Sequence, residues 1–191
     1  MSLSAPLPSS PADPILLELV DPDGRTIGTE EKLAAHQMPG KLHRAFSVFL
    51  FDAGGRMLLQ QRALSKYHSP GVWSNTCCGH PYPGEAPEEA AARRTREELG
   101  IENFKLVPVG TVTYYHPDEL SGLVEHEYNH LFAGIVDDTM NLDPEEVHDT
   151  RFVTAEELAR LRDEVPFSAW FPSVFEAALP GIRGVVPPQT W

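Results

Sequence analysis

Three short stretches carry residue types that do chemistry. His36 and His43 lie seven residues apart. Two imidazoles at that spacing can converge across a loop or at a helix exit, and by themselves they fit ordinary surface or core histidines equally well. Asn75-Thr76-Cys77-Cys78-Gly79-His80-Pro81 sets a thiol two residues before a histidine, inside a run (53–84) that holds no Asp or Glu. Positive surroundings favour thiolate, so a reactive cysteine is one expectation. The other is a small buried hydrophobe, the usual role of a free cysteine. Cys77 is assigned to that second role and Cys78 stays open. In Val124-Glu125-His126-Glu127, a strand would put Glu125 and Glu127 on one face, about 7 Å apart. Two carboxylates on one face repel unless a metal ion or a shared proton lies between them. The alternative is a solvent-facing edge strand with His126 and Tyr128 buried.

A fourth constellation is longer. Gly79 is followed after five residues by Glu85, and after seven more by Arg93-Arg94-Thr95-Arg96-Glu97-Glu98-Leu99-Gly100-Ile101. This resembles the Nudix box, in which a loop–helix–loop aims carboxylates at a divalent cation that holds a diphosphate. Gly79, Glu85, Arg93, Glu97, Glu98, Gly100 and Ile101 match at the right spacing over 23 positions. One position departs: Arg94 stands where the box has an acid, which argues against diphosphate hydrolysis. Arg94 and Glu98 lie four apart, on one helix face. They make either an intrahelical ion pair worth tenths of a kcal/mol or a cation ligand beside a phosphate contact.

These residues need a scaffold, and an α/β pattern supplies one. Strands are expected at Ile15–Val20, Arg25–Thr29, Ala45–Phe51, Met57–Gln61, Leu106–Tyr115 and Val124–Val136. Asp21-Pro22-Asp23-Gly24 and Ala53-Gly54-Gly55 are turns, the second joining a hairpin of its two flanking strands. Pro87–Leu99 reads as a helix, with Pro at its start, Glu88 and Glu89 in the first turn and Gly100 at the stop. Thr154-Ala155-Glu156-Glu157 is a capping box for a helix over 157–163, and Pro172–Leu179 reads as another. Strands and helices mix without regular βαβ alternation, so a mixed sheet flanked by helices is expected; the resemblance to the Nudix box makes that an α/β (α+β) fold, a Nudix-like mixed sheet sandwiched by helices. The body is expected at 15–179, between a disordered Pro/Ser-rich tail at 1–14 and a loose tail at 180–191.

Composition narrows the partners. With 28 acidic and 15 basic side chains among 191 residues, the formal net charge is −13, which argues against general nucleic-acid binding. Within that acidic chain, Lys32, Lys41, Arg44, Arg56, Arg62 and Lys66 cluster in a stretch where Asp52 is the one acid. An anionic ligand at one place would explain them. No apolar run approaches the roughly 20 residues a bilayer needs. Two adjacent cysteines cannot build a disulfide framework, so a reduced, cytoplasmic setting is expected. The oligomeric state is left open, with a monomer favoured.

The whole set resembles type 1 isopentenyl-diphosphate isomerases, members of the Nudix superfamily. Thr29–His36, Leu42–Ser47, Gln61–Lys66, Pro70–Asn75, Cys78–Pro81, Gly122–Glu127 and Phe167–Trp170 carry the resemblance from about Ile15 to Trp170. It implies conversion of isopentenyl diphosphate to dimethylallyl diphosphate, by protonation and deprotonation through a tertiary carbocation. Cys78 and Glu127 would be the two proton-transfer groups, with Tyr115 assisting the glutamate. His36, His43, His80, Glu125 and Glu127 would form one metal site, suited to Mn²⁺ or Zn²⁺. Mg²⁺ on Glu98 would bridge to the diphosphate. Lys32, Arg62, Lys66 and Arg94 would contact the diphosphate, Trp170 would face the hydrocarbon, and no flavin would take part.

Overall fold

The structure is a computed structural model and describes residues 14–66, 68–118, 121–137 and 139–191. The tail expected at 1–14 therefore lies, apart from its last residue, outside the described residues. β1 (Leu16–Val20) and β2 (Thr26–Glu31) pair antiparallel across the Asp21–Gly24 turn. Asp21 closes that turn by accepting from the backbone N–H groups of Asp23 and Arg25, both at 2.9 Å. A one-turn helix follows, α1 (Lys32–His36), capped by Glu31, whose carboxylate accepts from Ala34 N at 3.0 Å. Five residues are too few to show a helical period, which is why the sequence pattern missed it.

The axis of the molecule is β3 (His43–Phe51), followed by β4 (Met57–Arg62), β5 (Trp73–Ser74) and β6 (Cys77–Gly79). Helix α2 (Pro87–Leu99) occupies the residues expected of it. Gly100 ends it in the left-handed region at φ 62°, where a Cβ would stand 2.6 Å from Asn141 O. The chain continues through β7 (Val107–Asp118), β8 (Leu123–Ile135), β9 (Val147–Val153), α3 (Ala155–Glu164) and α4 (Phe171–Ile182). Thr154 caps α3 through the expected reciprocal box with Glu157.

The described strands form one mixed sheet. β8 runs parallel to β3 along its whole length, His43 opposite Glu127 through Phe51 opposite Ile135. The other edge of β3 is shared in turn by β1, β6 and β4. The expected hairpin of Ala45–Phe51 with Met57–Gln61 is thus reduced to one pair, Phe51 opposite Met57. β4 leaves β3 after that pair, because β6 takes the middle of β3, and pairs with β5 and β9 instead.

β3 is buried on both faces. Phe46, Val48 and Leu50 pack with Ala90, Ala91 and Leu99 under α2, while Phe49 and Phe51 pack with Phe171, Val174 and Phe175 under α4. Period-two alternation thus feeds two cores from one strand, each large side chain contributing about 1.5–3 kcal/mol by burial. This continuous apolar run differs from the in–out alternation of a half-exposed strand, and it fixes the register that places His43.

The C-terminal tail is not loose. α4 runs on through Pro180 to Ile182, which is fully buried, and Val186 is buried as well. Trp191 packs edge-on to Phe51 and Phe175 and donates its indole N–H to Gly55 O at 2.6 Å. A lone tryptophan among prolines carries no period, so its docking against the turn after β3 is visible only in three dimensions.

Candidate active site

The alternation of β8 sets Glu125, Glu127 and Asn129 inward and His126, Tyr128 and His130 to the other face. The alternative of buried His126 and Tyr128 is thereby excluded. Register then assembles the rest: His43 opens β3 opposite Glu127, His36 ends α1, and His80 follows β6. One ligand atom from each of His36, His43, His80, Glu125 and Glu127 lies within 4.8 Å of all the others. His80 Nε2 is 3.0 Å and His43 Nε2 3.7 Å from Glu127 Oε1, and His36 Nε2 is 3.4 Å from Glu125 Oε2.

The ring orientations are set from behind. His36 Nδ1 and His43 Nδ1 donate to the carbonyls of Lys32 and Lys41 at 2.7 and 2.8 Å, which leaves each Nε2 as the inward lone pair. His43 Nε2 is buried and has no hydrogen-bond partner among the described residues. An orphaned imidazole nitrogen facing carboxylates is the environment of a cation ligand, so these five residues fit a divalent metal ion. Burial pushes His80 down to about 4, which keeps it in the neutral form that ligates. Burial opposes ionisation of Glu127, but the His80 hydrogen bond and the neighbouring His43 ring prevail and hold its carboxyl well below the usual range.

The tyrosine expected beside Glu127 is a different one. Tyr115 is 45% exposed and donates its hydroxyl to Pro39 O at 2.9 Å. Tyr114, one residue earlier on β7 and opposite Glu127 in register, donates its hydroxyl to Glu127 Oε2. Neighbouring strand residues face opposite sides, so only one of the pair can reach the site. Asn129 Nδ2 donates to the same carboxylate oxygen at 3.0 Å.

Alternation on β6 likewise divides the cysteines. Cys77 is fully buried against the α2 core, while Cys78 turns to the cavity opposite Ser47. The Cys78 thiol donates to Asn75 Oδ1 at 3.1 Å and lies 3.6 Å from Ser47 Oγ. Burial pushes its pKa up despite these contacts. The thiolate suggested by the basic stretch is therefore not the resting form: desolvation outweighs distant positive charge.

Cys78, Glu127 and Trp170 line one cavity of about 260 Å³. The wall of this cavity is also cationic. Lys32, Lys66 and Arg94 converge there, and burial, then Lys66, lowers the Lys32 pKa. Arg94 donates to Glu98 Oε1 at 2.5 Å and also contacts Glu146, which pairs with Lys66. Glu98 is buried and accepts from Gln60 Nε2 at 3.1 Å through its second oxygen. Arg62 lines the cavity too, but two of its donors are used on the carbonyls of His68 and Ser69, and its guanidinium lies 5.4 Å over the Trp170 ring. The matching Glu85 stands apart from this cavity, clamped by Arg93 through two hydrogen bonds of 2.8 Å.

Four of these neighbours were not singled out in the sequence: Tyr114, Asn129, Gln60 and Glu146. For Asn129 the signal existed, since it follows from parity with Glu127 on the same strand, whereas Tyr114 needed the register of β7 against β8. Glu146 and Gln60 come from segments with no motif.

A NUDIX domain matches residues 41–172, and the fold agrees. A Deinococcus radiodurans protein, DR0079, superposes with a TM-score of 0.70 over 85% of this chain and 98% of that one, at 21% identity. The MutT protein of Methanosarcina mazei does so at 0.56 over 73% and 94%, at 22% identity. The chain thus has the Nudix fold. It is 66% identical over 178 residues to the isopentenyl-diphosphate Delta-isomerase of Streptomyces griseus, covering 93% of this chain and 90% of the relative. With that of Nocardia farcinica it shares 49% identity, covering 85% and 93%. The chain belongs to the isopentenyl-diphosphate Delta-isomerase family. A divalent metal accords with the Nudix match and with the histidine–glutamate cluster. No helix among the described residues is long and apolar enough to cross a membrane.

Proposed function

We propose that this enzyme interconverts isopentenyl diphosphate and dimethylallyl diphosphate for isoprenoid biosynthesis, with Cys78 and Glu127 as the proton-transfer pair. The observation that carries this is one cavity lined together by a neutral thiol, an ionised carboxylate and a cluster of cations. That arrangement matches an uncharged alkene tethered to a diphosphate. From the resting state, Cys78 gives its proton to the terminal alkene carbon, whose π electrons form the new C–H bond. The positive charge falls on the tertiary carbon. Glu127 then takes a proton from C2, and those C–H electrons become the new double bond. In reverse the two residues exchange roles.

A thiol is a weak acid and an alkene a poor base, so the cation must be stabilised where it forms. The Trp170 face contributes about 2 kcal/mol by cation–π contact in a desolvated site. Tyr114 and Asn129 orient the Glu127 carboxylate. Exclusion of water once substrate fills the cavity keeps water from trapping the cation. Lys32, Lys66 and Arg94 bind the diphosphate, and Arg62, which lines the same cavity, backs Trp170. His36, His43, His80, Glu125 and Glu127 would hold Mn²⁺ or Zn²⁺, and Glu98 would hold Mg²⁺. These ions supply electrostatic neutralisation of the diphosphate and a fixed orientation of the carboxylates. Proton transfer in and out is redox-neutral and calls for no flavin. A cytoplasmic setting fits this small-molecule role, and the reaction itself calls for no membrane or nucleic-acid partner.

The test is proton NMR of isopentenyl diphosphate in D₂O with enzyme, Mg²⁺ and Mn²⁺, beside Cys78→Ala and a phosphorus spectrum. Dimethylallyl diphosphate with deuterium in a methyl group, lost in the variant, is the expected result. Release of phosphate or diphosphate without isomerisation would overturn the proposal in favour of hydrolysis.

A further inference from the structure

His68 belongs to no motif, yet it touches three parts of the cavity. Its ring is 8% exposed. Nε2 lies 2.9 Å from Glu125 Oε1, while His36 Nε2 approaches the other carboxylate oxygen at 3.4 Å. Glu125 is thus gripped from both sides, one histidine within the five-residue cluster and one outside it. Nδ1 of His68 faces Asp118 Oδ2 at 3.4 Å. The ring is nearly parallel to Trp170, 18° between planes and 6.1 Å between centroids. Its backbone carbonyl accepts from Arg62 at 3.0 Å.

The next residue, Ser69, has φ 48°, a left-handed conformation that a serine adopts only when its surroundings compel it. Ser69 O is a second acceptor for Arg62. This segment is therefore held in a strained shape by contacts that converge on Glu125, Arg62 and Trp170. Packing alone would be served by an apolar side chain. It does not account for a buried imidazole whose nitrogens face two carboxylates. The Nε2–Oε1 contact has hydrogen-bond distance, with the ring turned away from ideal alignment.

We infer that His68 is a positioning residue for the histidine–glutamate metal centre: its Nε2–H holds Glu125 Oε1 so that Oε2 is presented to the ion. This rests on the metal site of the proposed function. A donor behind a ligating carboxylate acts through ligand orientation, and losing such a partner typically costs about 10- to 100-fold in metal affinity.

The test is Mn²⁺ titration of the full chain in excess Mg²⁺, followed by electron paramagnetic resonance, with the melting temperature of each metal-free protein measured beside it. His68→Phe keeps a ring against Trp170 and loses the donor; His68→Gln keeps a donor and loses the ring. The expected result is affinity about 10- to 100-fold weaker in His68→Phe, restored in His68→Gln, with metal-free melting temperatures near that of the wild type. Wild-type affinity in His68→Phe would overturn the inference. So would equal weakening in both variants, which would make the residue a packing element. Failure of the metal site itself is read separately: the wild type would bind no Mn²⁺, or Glu125→Gln would bind it as well as the wild type. Either result removes the basis of the inference as well.

Discussion

Replacing Tyr114 by Phe removes one hydroxyl from a fully buried carboxylate and changes little else. In the structure that hydroxyl donates to Glu127 Oε2. A hydrogen bond to a charged group contributes about 1.5–3 kcal/mol. If Tyr114 orients Glu127 for C2 proton transfer, that loss enters the barrier, and about 1.4 kcal/mol corresponds to tenfold in rate. A fall in kcat of roughly 10- to 150-fold follows from those two figures. Asn129 Nδ2 still donates to the same oxygen at 3.0 Å, so the carboxylate is not left bare and the low end of that range is expected. Tyr115→Phe is the matched control. It loses one hydrogen bond to Pro39 O from a half-exposed ring, on the far face of the same strand. Its kcat should stay within about twofold, since a neutral hydrogen bond contributes about 0.5–1.5 kcal/mol to stability and none of it bears on the cavity. Both variants are assayed by deuterium incorporation from D₂O and by saturation kinetics. An impaired Tyr115→Phe beside an unimpaired Tyr114→Phe would refute the strand-parity argument.

Four further outcomes are expected. Chelation should abolish isomerisation, and reloading with Mn²⁺ at 100 times its Kd should stabilise the fold by about 2.7 kcal/mol, a rise of roughly 5–11 °C in Tm for a chain of this size; an unchanged Tm would count against the centre. Arg94→Gln should raise KM about tenfold or more with a smaller change in kcat, as a lost charged contact to diphosphate requires; a kcat collapse at constant KM would contradict that role. His130, away from the cavity, is held down to about 4, chiefly by burial and then by Arg44, whereas a free imidazole titrates near 6.5. The unfolded chain therefore takes that proton first, stability falls as pH drops from about 6.5 towards 4, and a Tm–pH series of His130→Asn should lack that part of the slope. Trp191→Ala should lower stability by about 1–3 kcal/mol, less than a fully buried tryptophan would, and leave kcat unchanged; calorimetry and the NMR assay check the two halves.

Legibility followed the physics of each signal. α2 was readable to the residue because Pro87 and Gly100 act locally, one fixing φ and the other accepting the left-handed C-cap. The five candidate metal ligands were placed by the family resemblance. Their convergence depends on the parallel register of β3 with β8, which joins residues more than 80 positions apart. Strand parity was available for the tyrosines too, but the resemblance pointed to Tyr115, and only the pairing of Tyr114 with Glu127 decides between them. α1, β5 and β6 are too short for any period to emerge. Glu146 and His68 sit in loops, where side-chain direction follows from tertiary contacts rather than sequence spacing. The state of Cys78 needed burial, which composition cannot supply.

The departure at Arg94 acquires a meaning from its neighbours. Its guanidinium lies among three carboxylates: Glu98 at 2.5 Å, Glu97 at 2.8 Å and Glu146 at 3.3 Å. An acid at that position would be a fourth negative charge in one partly buried place, tolerable only with additional cations bound there. The arginine supplies a fixed cation instead. It cannot lose its proton, and its planar fork suits phosphate oxygens. Glu98 is then the one of these three carboxylates that is buried beside Gln60 at the cavity wall. The helix that in the Nudix box aims several carboxylates at metal here offers fewer ligands and more fixed positive charge. Under the proposed function, that change weakens the apparatus for activating water against a diphosphate and keeps the apparatus for gripping one. His36, His80 and Cys78 line the same cavity. Under the same proposal, retention of the diphosphate follows from this redistribution of charge, and the proton transfers fall to residues that share its cavity.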